Sequence, residues 1–384
     1  MYNVWLLGLV SLLTDISSEM VYPLVPLYLT AKLGATPLIV GLIEGVAESL
    51  ASLLKVFSGY FSDRLGRRKT LTILGYGSST VGKALFYLAA SWGWVFGGRL
   101  VDRFGKGVRT APRDAIIADS VNASERGRAF GLHRTMDTLG AVLGILLAYY
   151  LFTFYTGDYQ TVFLMAVIPS IIGVIVLLAV REKRTVQTVG GKQFSLKWSS
   201  LNFRLQAFLV VVFLFALGNS SNQFLLLRAQ QMGFDAGSVI LLYLTYNLVY
   251  TVVSYPAGRL SDIFGRKNLL VLGYMSYGLV YLGFARASEA SSVWWLFGLY
   301  GVYAGATEGV EKALIADIAP AHLRGTLMGL HATLVGIGLL PASLLAGWLW
   351  TKWGAAAPFY FGGFMGVLTA VLLWFVLAEK SMTT

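Results

Sequence analysis

The sequence predicts an all-α membrane protein: twelve transmembrane helices in two six-helix lobes, with both termini cytoplasmic. Three observations lead there: the composition, the sorting of charge between loops, and an internal repeat. Of the 384 residues, 56% are hydrophobic and only 13% charged, with a mean hydropathy of +0.67. A soluble domain carries roughly 25% charge, so this chain has no polar coat to spare. At roughly 20 apolar residues per span, it holds about twelve spans with short loops and leaves no room for a soluble catalytic or DNA-binding domain. The absence of cysteine excludes disulfides, thiolate chemistry and iron–sulfur clusters.

Apolar runs between polar breaks place the spans in order. The first six lie near 5–29, 38–60, 70–91, 94–117, 128–152 and 161–181. The stretch Met1-Tyr2-Asn3-Val4-Trp5 has neither a basic n-region nor a small-residue cleavage site, so the first run reads as a retained helix. A polar linker, 182–204, separates a first lobe at 1–181 from a second at 205–384. The second lobe's spans lie near 205–227, 238–260, 269–287, 293–316, 327–350 and 357–378. One chain supplies both lobes, so a monomer is expected.

The basic residues orient these spans. Arg64, Arg67, Arg68, Lys69, Arg126, Arg128, Arg181, Lys183, Arg184, Lys192, Lys197, Arg204, Arg266, Lys267, Arg324 and Lys380 fall in the even loops, the linker and the tail. Only Lys32, Arg228, Arg286 and Lys352 fall in the odd loops. The even loops are therefore cytoplasmic. The same rule accounts for much of the net charge of +11, which in a soluble protein would point to nucleic acid; no nucleic-acid partner is expected, and membrane lipid is.

The second half repeats the first. Gly59-Tyr-Phe-Ser-Asp63-Arg64-Leu-Gly66-Arg67-Arg68 returns 199 residues later as Gly258-Arg-Leu-Ser-Asp262-Ile-Phe-Gly265-Arg266-Lys267. Ala118-Asp119, Arg126-Gly127 and Gly131-Leu132-His133 return 198 residues later as Ala316-Asp317, Arg324-Gly325 and Gly329-Leu330-His331. Parallel repeats of six helices describe a two-lobed transporter with its site near mid-membrane between the lobes. With these motifs the whole chain resembles the major facilitator superfamily, and within it the proton-coupled drug and metabolite exporter branch. The loop signature Gly-x-x-x-Asp-Arg-x-Gly-Arg-Arg is met in full at Gly59, Asp63, Arg64, Gly66, Arg67 and Arg68, with a degraded copy in the matching loop of the second half.

The resemblance implies a cytoplasmic gate. Asp63 would meet the start of span 11 near Gly325 and Thr326, where the positive end of a helix favours a carboxylate; Asp262 would meet the start of span 5 near Gly127. Arg64, Arg67, Arg68, Asp119, Arg126, Arg266, Asp317 and Arg324 would complete the cluster. The sequences Arg113-Asp114 and Glu311-Lys312 occupy near-equivalent places in spans 4 and 10 with reversed order, which predicts the cross-lobe pairs Arg113–Glu311 and Asp114–Lys312.

Ionisable residues at membrane depth mark a pathway, a proton relay or a buried pair. Most lie in the first lobe: Asp15 and Glu19 on span 1, Glu44, Glu48 and Lys55 on span 2, Lys83 on span 3, and His133, Arg134 and Asp137 on span 5. On span 4, Arg99, Asp102, Arg103, Lys106, Arg109 and Arg113 fall within about 120° of arc, a stripe that cannot face lipid and is expected to line a cavity or pair with the carboxylates of spans 1, 2 and 5. Arg103 with Gly107 resembles the family's span-4 pattern, which in proton-coupled members is tied to proton transfer. The proton-coupling candidates are Glu48, Glu44, Asp15 and Asp137, in that order, followed by Glu19 and Arg103.

Arg99 and Arg109 are also candidates for the substrate cavity. Facing them, Asn219, Asn222, Gln223, Tyr243, Tyr246 and Asn247, with Glu308, form an amide and aromatic wall suited to an organic solute with polar and planar parts. With no cysteine and three histidines, no metal site is expected, and no cofactor.

These readings predict a secondary active transporter, not an enzyme, in the cell (cytoplasmic) membrane. It would move a small organic solute by alternating access, with proton-coupled antiport, or efflux, as the first mode. The alternative is proton symport or uniport that imports an anionic metabolite or a metal chelate such as a siderophore. The exporters' span-5 pattern is only half present, at Gly140-Ala-Val-Leu-Gly144, with no following proline. If the gate exists, Asp63→Asn shifts the population toward the inward-open state. Cysteine accessibility measured from the two sides of the membrane checks this, and equal labelling of wild type and variant contradicts it.

Overall fold

The computed structural model describes residues 1–65, 67–122, 125–182, 201, 203–319 and 324–377. The side chains of Tyr60, Asp63, Leu65, Ala316, Arg324, Gly325 and Thr326 lie outside that set. The expected contacts of Asp63 and Arg324, and nearly all of the expected linker, therefore fall outside the described residues.

Among the described residues there are fourteen helices and no strand. They are α1 Tyr2–Val21, α2 Val25–Ala31, α3 Pro37–Leu65, α4 Arg68–Tyr87, α5 Trp92–Asp119, α6 Arg126–Phe154 and α7 Tyr159–Leu178, then α8 Phe203–Gly218, α9 Gln223–Gln231, α10 Ala236–Phe264, α11 Arg266–Arg286, α12 Ala290–Ile318, α13 Arg324–Trp353 and α14 Ala357–Val376. Counting α1 with α2 and α8 with α9 as single segments, nine are long and apolar enough to cross a membrane. The charge-bearing α5, with α4 and α12, completes the twelve spans.

Two of the expected spans are not continuous. Span 1 breaks at Tyr22-Pro23-Leu24, because Pro23 has no N–H to donate and its ring crowds the carbonyl four residues back; α2 restarts with Pro26 in its first turn. Span 7 breaks at Asn219–Asn222. There side chains take over the backbone groups that the helix ends leave unpaired. Tyr277 Oη donates to the carbonyl of Gly218 at 2.8 Å, and the amide of Ser221 donates to Ser343 Oγ at 3.3 Å. The two breaks fall at equivalent places under the 198-residue repeat.

The chain forms two compact units, Met1–Gly191 with Leu225–Leu244, and Lys192–Phe224 with Thr245–Thr384. The segment Leu225–Leu244, which the sequence assigns to the second lobe, packs with the first unit. In unit 1, α1 lies against α6 and α7, and α4 against α5 and α7; in unit 2, α8 lies against α13 and α14, and α11 against α12 and α14. The sequence repeat is thus also a packing repeat.

Close helix contacts set the positions of the charged residues. Apolar side chains gain nothing from leaving lipid, so membrane helices associate where small residues let backbones touch. A Cβ on Gly105 of α5 would run into the carbonyl of Gly75 on α4 and lie 2.9 Å from the amide of Ser79; one on Gly140 of α6 would meet the backbone of Leu12 on α1. Loops are fixed by side-chain caps. Asp158 accepts from the amides of Gln160 and Thr161 at 3.1 and 3.2 Å, and the Thr161 hydroxyl holds its carboxyl below the usual range. Asp235 caps α10 in the same way, with the Ser238 hydroxyl foremost.

Gly105→Val is expected to lower the thermal unfolding temperature of the detergent-solubilised protein, at a cost of about 1–3 kcal/mol for overpacking. Gly97→Val, where a Cβ has no neighbour within 4 Å, should leave it nearly unchanged.

Candidate functional site

The α4–α5 glycine contacts hold α5 with its charged stripe turned onto α3 and α4. Arg99 on α5 is buried, and so is Glu44 on α3. Arg99 Nε donates to Glu44 Oε1 at 2.6 Å and Nη2 to Glu44 Oε2 at 2.7 Å, a bidentate pair. One turn along, Arg103 Nη1 lies 3.1 Å from Glu48 Oε1, which Arg99 Nη2 also reaches at 3.5 Å. Asp102 is held by Arg103 at 3.3 Å and by Arg99 and the buried Lys83 at 3.7 Å each. Farther along, Arg109 donates to Ser79 and lies 4.5 Å from the centre of the Tyr76 ring. The stripe expected to line a cavity or pair with carboxylates pairs, over these residues, with α3, α4 and its own helix.

A second cluster lies where α1 meets α6. Asp137 accepts from Ser11 Oγ at 2.7 Å and from Arg134 at 3.2 Å. Asp15 lies one turn beyond Ser11 on the same face of α1, and Asp137 and Lys106 both act on it electrostatically. One turn along α1, Glu19 accepts from Tyr243 Oη at 3.0 Å. Tyr243 also packs on Tyr22, their centroids 5.3 Å apart, and Arg99 sits 5.3 Å from the Tyr22 ring centre. Tyr243 thus belongs with the charged cluster of unit 1, whereas the other candidates expected with it, Asn219, Asn222, Gln223, Tyr246, Asn247 and Glu308, lie in unit 2.

Those residues sit in a field of tyrosines. Tyr300 donates to Asn222 at 2.7 Å, and Asn219 donates to Tyr303 at 3.5 Å. Tyr246 packs on Tyr300 at 5.3 Å, and Tyr250 donates to Glu308 at 2.5 Å. Phe215 stacks on Tyr274 at 3.8 Å, and Tyr277 touches Tyr281 and Tyr303. Gln223, at the start of α9, is fully buried, and among the described residues neither of its amide atoms has a hydrogen-bond partner. Asn247, one turn before Thr251, is half-buried. Sequence reasoning missed Tyr277, Tyr281 and Tyr300 as members of this wall. Their signal was the spacing Tyr274, Tyr277, Tyr281 and Tyr300, Tyr303, which puts each set on one helical face.

The loop residues pair within their own repeats. Arg68 binds Asp119, and Arg266 binds Asp317 at 2.5 Å and Asp262 at 3.4 Å. Arg64, Arg67 and Arg126 are exposed. The residues expected to pair across the lobes have partners inside their own units: Arg113 with Asp114 at 2.8 Å, Lys312 with Glu308 at 3.1 Å, and Glu311 with Tyr274 at 2.9 Å and His331 at 3.3 Å.

The Major Facilitator Superfamily model matches residues 7–227 and again 207–383. The chain belongs to this superfamily. It is similar to the uncharacterized MFS-type transporter MJ1317 of Methanocaldococcus jannaschii, 37% identical over 97% of this chain and 94% of that one. It is also similar to the multidrug resistance protein MdtH of Cronobacter sakazakii, 24% identical over 94% and 91%. Among solved structures, the nucleoside transporter NupG shares the fold at a TM-score of 0.81, with 12% identity over 99% of this chain and 100% of that one. The superfamily member described here is therefore a multi-pass membrane protein and a secondary transporter for a small-molecule substrate.

The bidentate pair sets a clear stability test. Glu44→Gln leaves Arg99 buried without its main counter-charge and should cost about 3–5 kcal/mol, read as thermal unfolding in detergent. The double replacement Glu44→Leu with Arg99→Met should recover most of that loss.

Proposed function

We propose that this superfamily member is a proton-coupled carrier in the cell membrane that exports a small organic solute by alternating access, exchanging it for protons. The observation that carries the reading is the gathering of carboxyl groups where α1 meets α6: Asp137 is held by Ser11, one turn before Asp15 on the same face of α1, and Glu19 follows one turn later. Carboxyl groups gathered at one helix contact can pass a proton between them, which is the chemistry that coupling needs. The cluster also lies in a packed helix contact beside a lysine, so a movement of α1 against α6 or α5 changes how firmly the proton is held.

This moves the emphasis among the coupling candidates. Glu44 and Glu48 lie against the guanidiniums of Arg99 and Arg103, which supply their counter-charge without a proton. Asp15 and Asp137 therefore come first, with Glu19 next through its bond to Tyr243. Export is supported by the likeness to MdtH. An organic solute with polar and planar parts is supported by the amide and tyrosine wall of unit 2. The alternative, proton symport or uniport of an anionic metabolite or metal chelate, draws support from the surplus of cations on the charged face of unit 1.

The test uses purified full-length protein in proteoliposomes loaded with a pH-sensitive dye, with gradients of nucleosides, amino acids and aromatic dyes imposed in turn. A transported solute is expected to move protons in wild type, and Asp15→Asn should exchange the same solute with proton movement reduced at least about tenfold. Proton flux opposite to the solute means antiport; flux in the same direction means symport. Solute exchange without proton movement in wild type overturns the coupling.

A further inference from the structure

Where α3, α4 and α5 meet, charge pairing accounts for Glu44, Glu48, Lys83, Arg99, Asp102 and Arg103 and leaves two ammoniums without a direct ion pair. Glu44 and Glu48 are held by Arg99 and Arg103, and Asp102 by Arg103, Arg99 and Lys83. What remains is the ammonium of Lys55 on α3 and that of Lys106 on α5. Among the described residues, neither has a carboxylate oxygen within 4.0 Å or a side-chain hydrogen bond. Both are half-buried.

They are also neighbours. Gly107, next to Lys106, packs on Ala51 and Leu54, next to Lys55, and its carbonyl accepts from Ser58 Oγ at 3.0 Å. Each ammonium acts electrostatically on the other. Lys106 is fourteen residues into α5, about 21 Å along the helix, near the middle of a hydrocarbon core about 30 Å thick. It shares the α5 face of Arg99 and Arg103, so it points where they point and not to lipid.

Two neighbouring cations at that depth with no carboxylate in direct contact are unfavourable, since Glu48, Asp15 and Glu19 act on Lys106 only from farther off, and a protein that only needed a stable lobe would pair them directly or replace them with apolar residues. We infer that Lys55 and Lys106 form the docking site for an anionic group, a carboxylate, phosphonate or sulfonate, on the organic solute that this carrier moves. The inference rests on the carrier reading and narrows its substrate class. The bound anion supplies the missing counter-charge, so solute binding and the neutralisation of the charged face are the same event. Glu48, within electrostatic reach of both lysines, supplies a competing negative charge and keeps the empty site from holding its anion too tightly for release.

The experiment is thermal unfolding of the full-length protein in detergent. The probes are aromatic carboxylates, phosphonates and sulfonates, each set against its amide, alcohol and amine counterpart. At neutral pH an anion is expected to raise the unfolding temperature where its uncharged and cationic counterparts do not. Lys55→Gln and Lys106→Gln should each weaken that anion at least about tenfold, and Lys106→Arg should keep it. A second readout needs no ligand. With the repulsion removed, ligand-free Lys55→Gln and Lys106→Gln proteins should unfold no lower than wild type.

Equal stabilisation by anions and neutral counterparts overturns the site, as does an anion shift that survives both substitutions. A panel in which no anion stabilises, or ligand-free variants that unfold well below wild type, also overturns it, the latter because the lysines would then be structural. A solute that is uncharged or cationic and still moves protons sinks the anion site while leaving the carrier reading intact. Anion binding without proton movement does the reverse.

Discussion

The constraint on which the rest of unit 1 depends is that charge inside a membrane must be answered by charge. An uncompensated ion at mid-bilayer costs several kcal/mol, so the polar stripe of α5 dictates which helices it touches. Arg99 locks α5 to α3 through Glu44, Asp102 is shared with α4 through Lys83, and Arg109 is absorbed by Ser79 and the Tyr76 ring. These contacts need near-contact of backbones, which the glycines supply: Gly75 with Gly105 and Gly82 with Gly98 bring α4 and α5 together where a side chain would hold them apart. Electrostatics chooses the partners, and small residues permit the distance.

Unit 2 uses the same scaffold without that constraint. Where unit 1 has arginines and carboxylates, α11 and α12 carry Tyr274, Tyr277, Tyr281, Tyr300 and Tyr303. Phenols bring polarity without net charge, and their rings fill volume as apolar residues do. One hydroxyl satisfies the carbonyl at the end of α8, and another meets Asn222 in the break that follows. The break is therefore supported by the aromatic field rather than merely tolerated by it.

Much of the fold was legible in the sequence because its signals are periodic and long. The spans come from apolar runs, and the halves from motifs that return at offsets of 198 and 199 residues. The arrangement of α5 followed from the spacing Arg99, Asp102, Arg103, Lys106, which can only be one face. The helix breaks were less legible. Pro23 and Pro26 signal one, but the run Asn219-Ser-Ser-Asn222 is equally compatible with polar contacts between unbroken helices, and only the positions of Tyr277 and Ser343 decide it. The partners of the charges were not legible either. Spacing tells which residues share a face, yet whether Glu48 meets Arg103 or Lys106 depends on the rotation of α3 against α5, which Ala51, Leu54 and Gly107 set by packing. The place of Tyr243 was misread for a related reason. It lies on the same helix as Tyr246, but Leu225–Leu244 packs with unit 1 and the remainder of α10 with unit 2.

That division of α10 places Tyr243 with the charged chemistry of unit 1. Discontinuous spans at matched positions in two repeats are where transporters of this build place substrate and coupling-ion sites, because interrupted helices free backbone groups only where something else can satisfy them. Here the first break ends at Leu24, five residues beyond Glu19, and Glu19 holds Tyr243, the last tyrosine of α10 before the chain passes into unit 2. Protonation of Glu19 would weaken a charge-assisted acceptor to a neutral one and loosen the grip of α1 on α10. The carboxyl row on α1 therefore runs from Asp15, one turn beyond the Ser11 that holds Asp137 of α6, to Glu19, which holds Tyr243 in the part of α10 that belongs to unit 1.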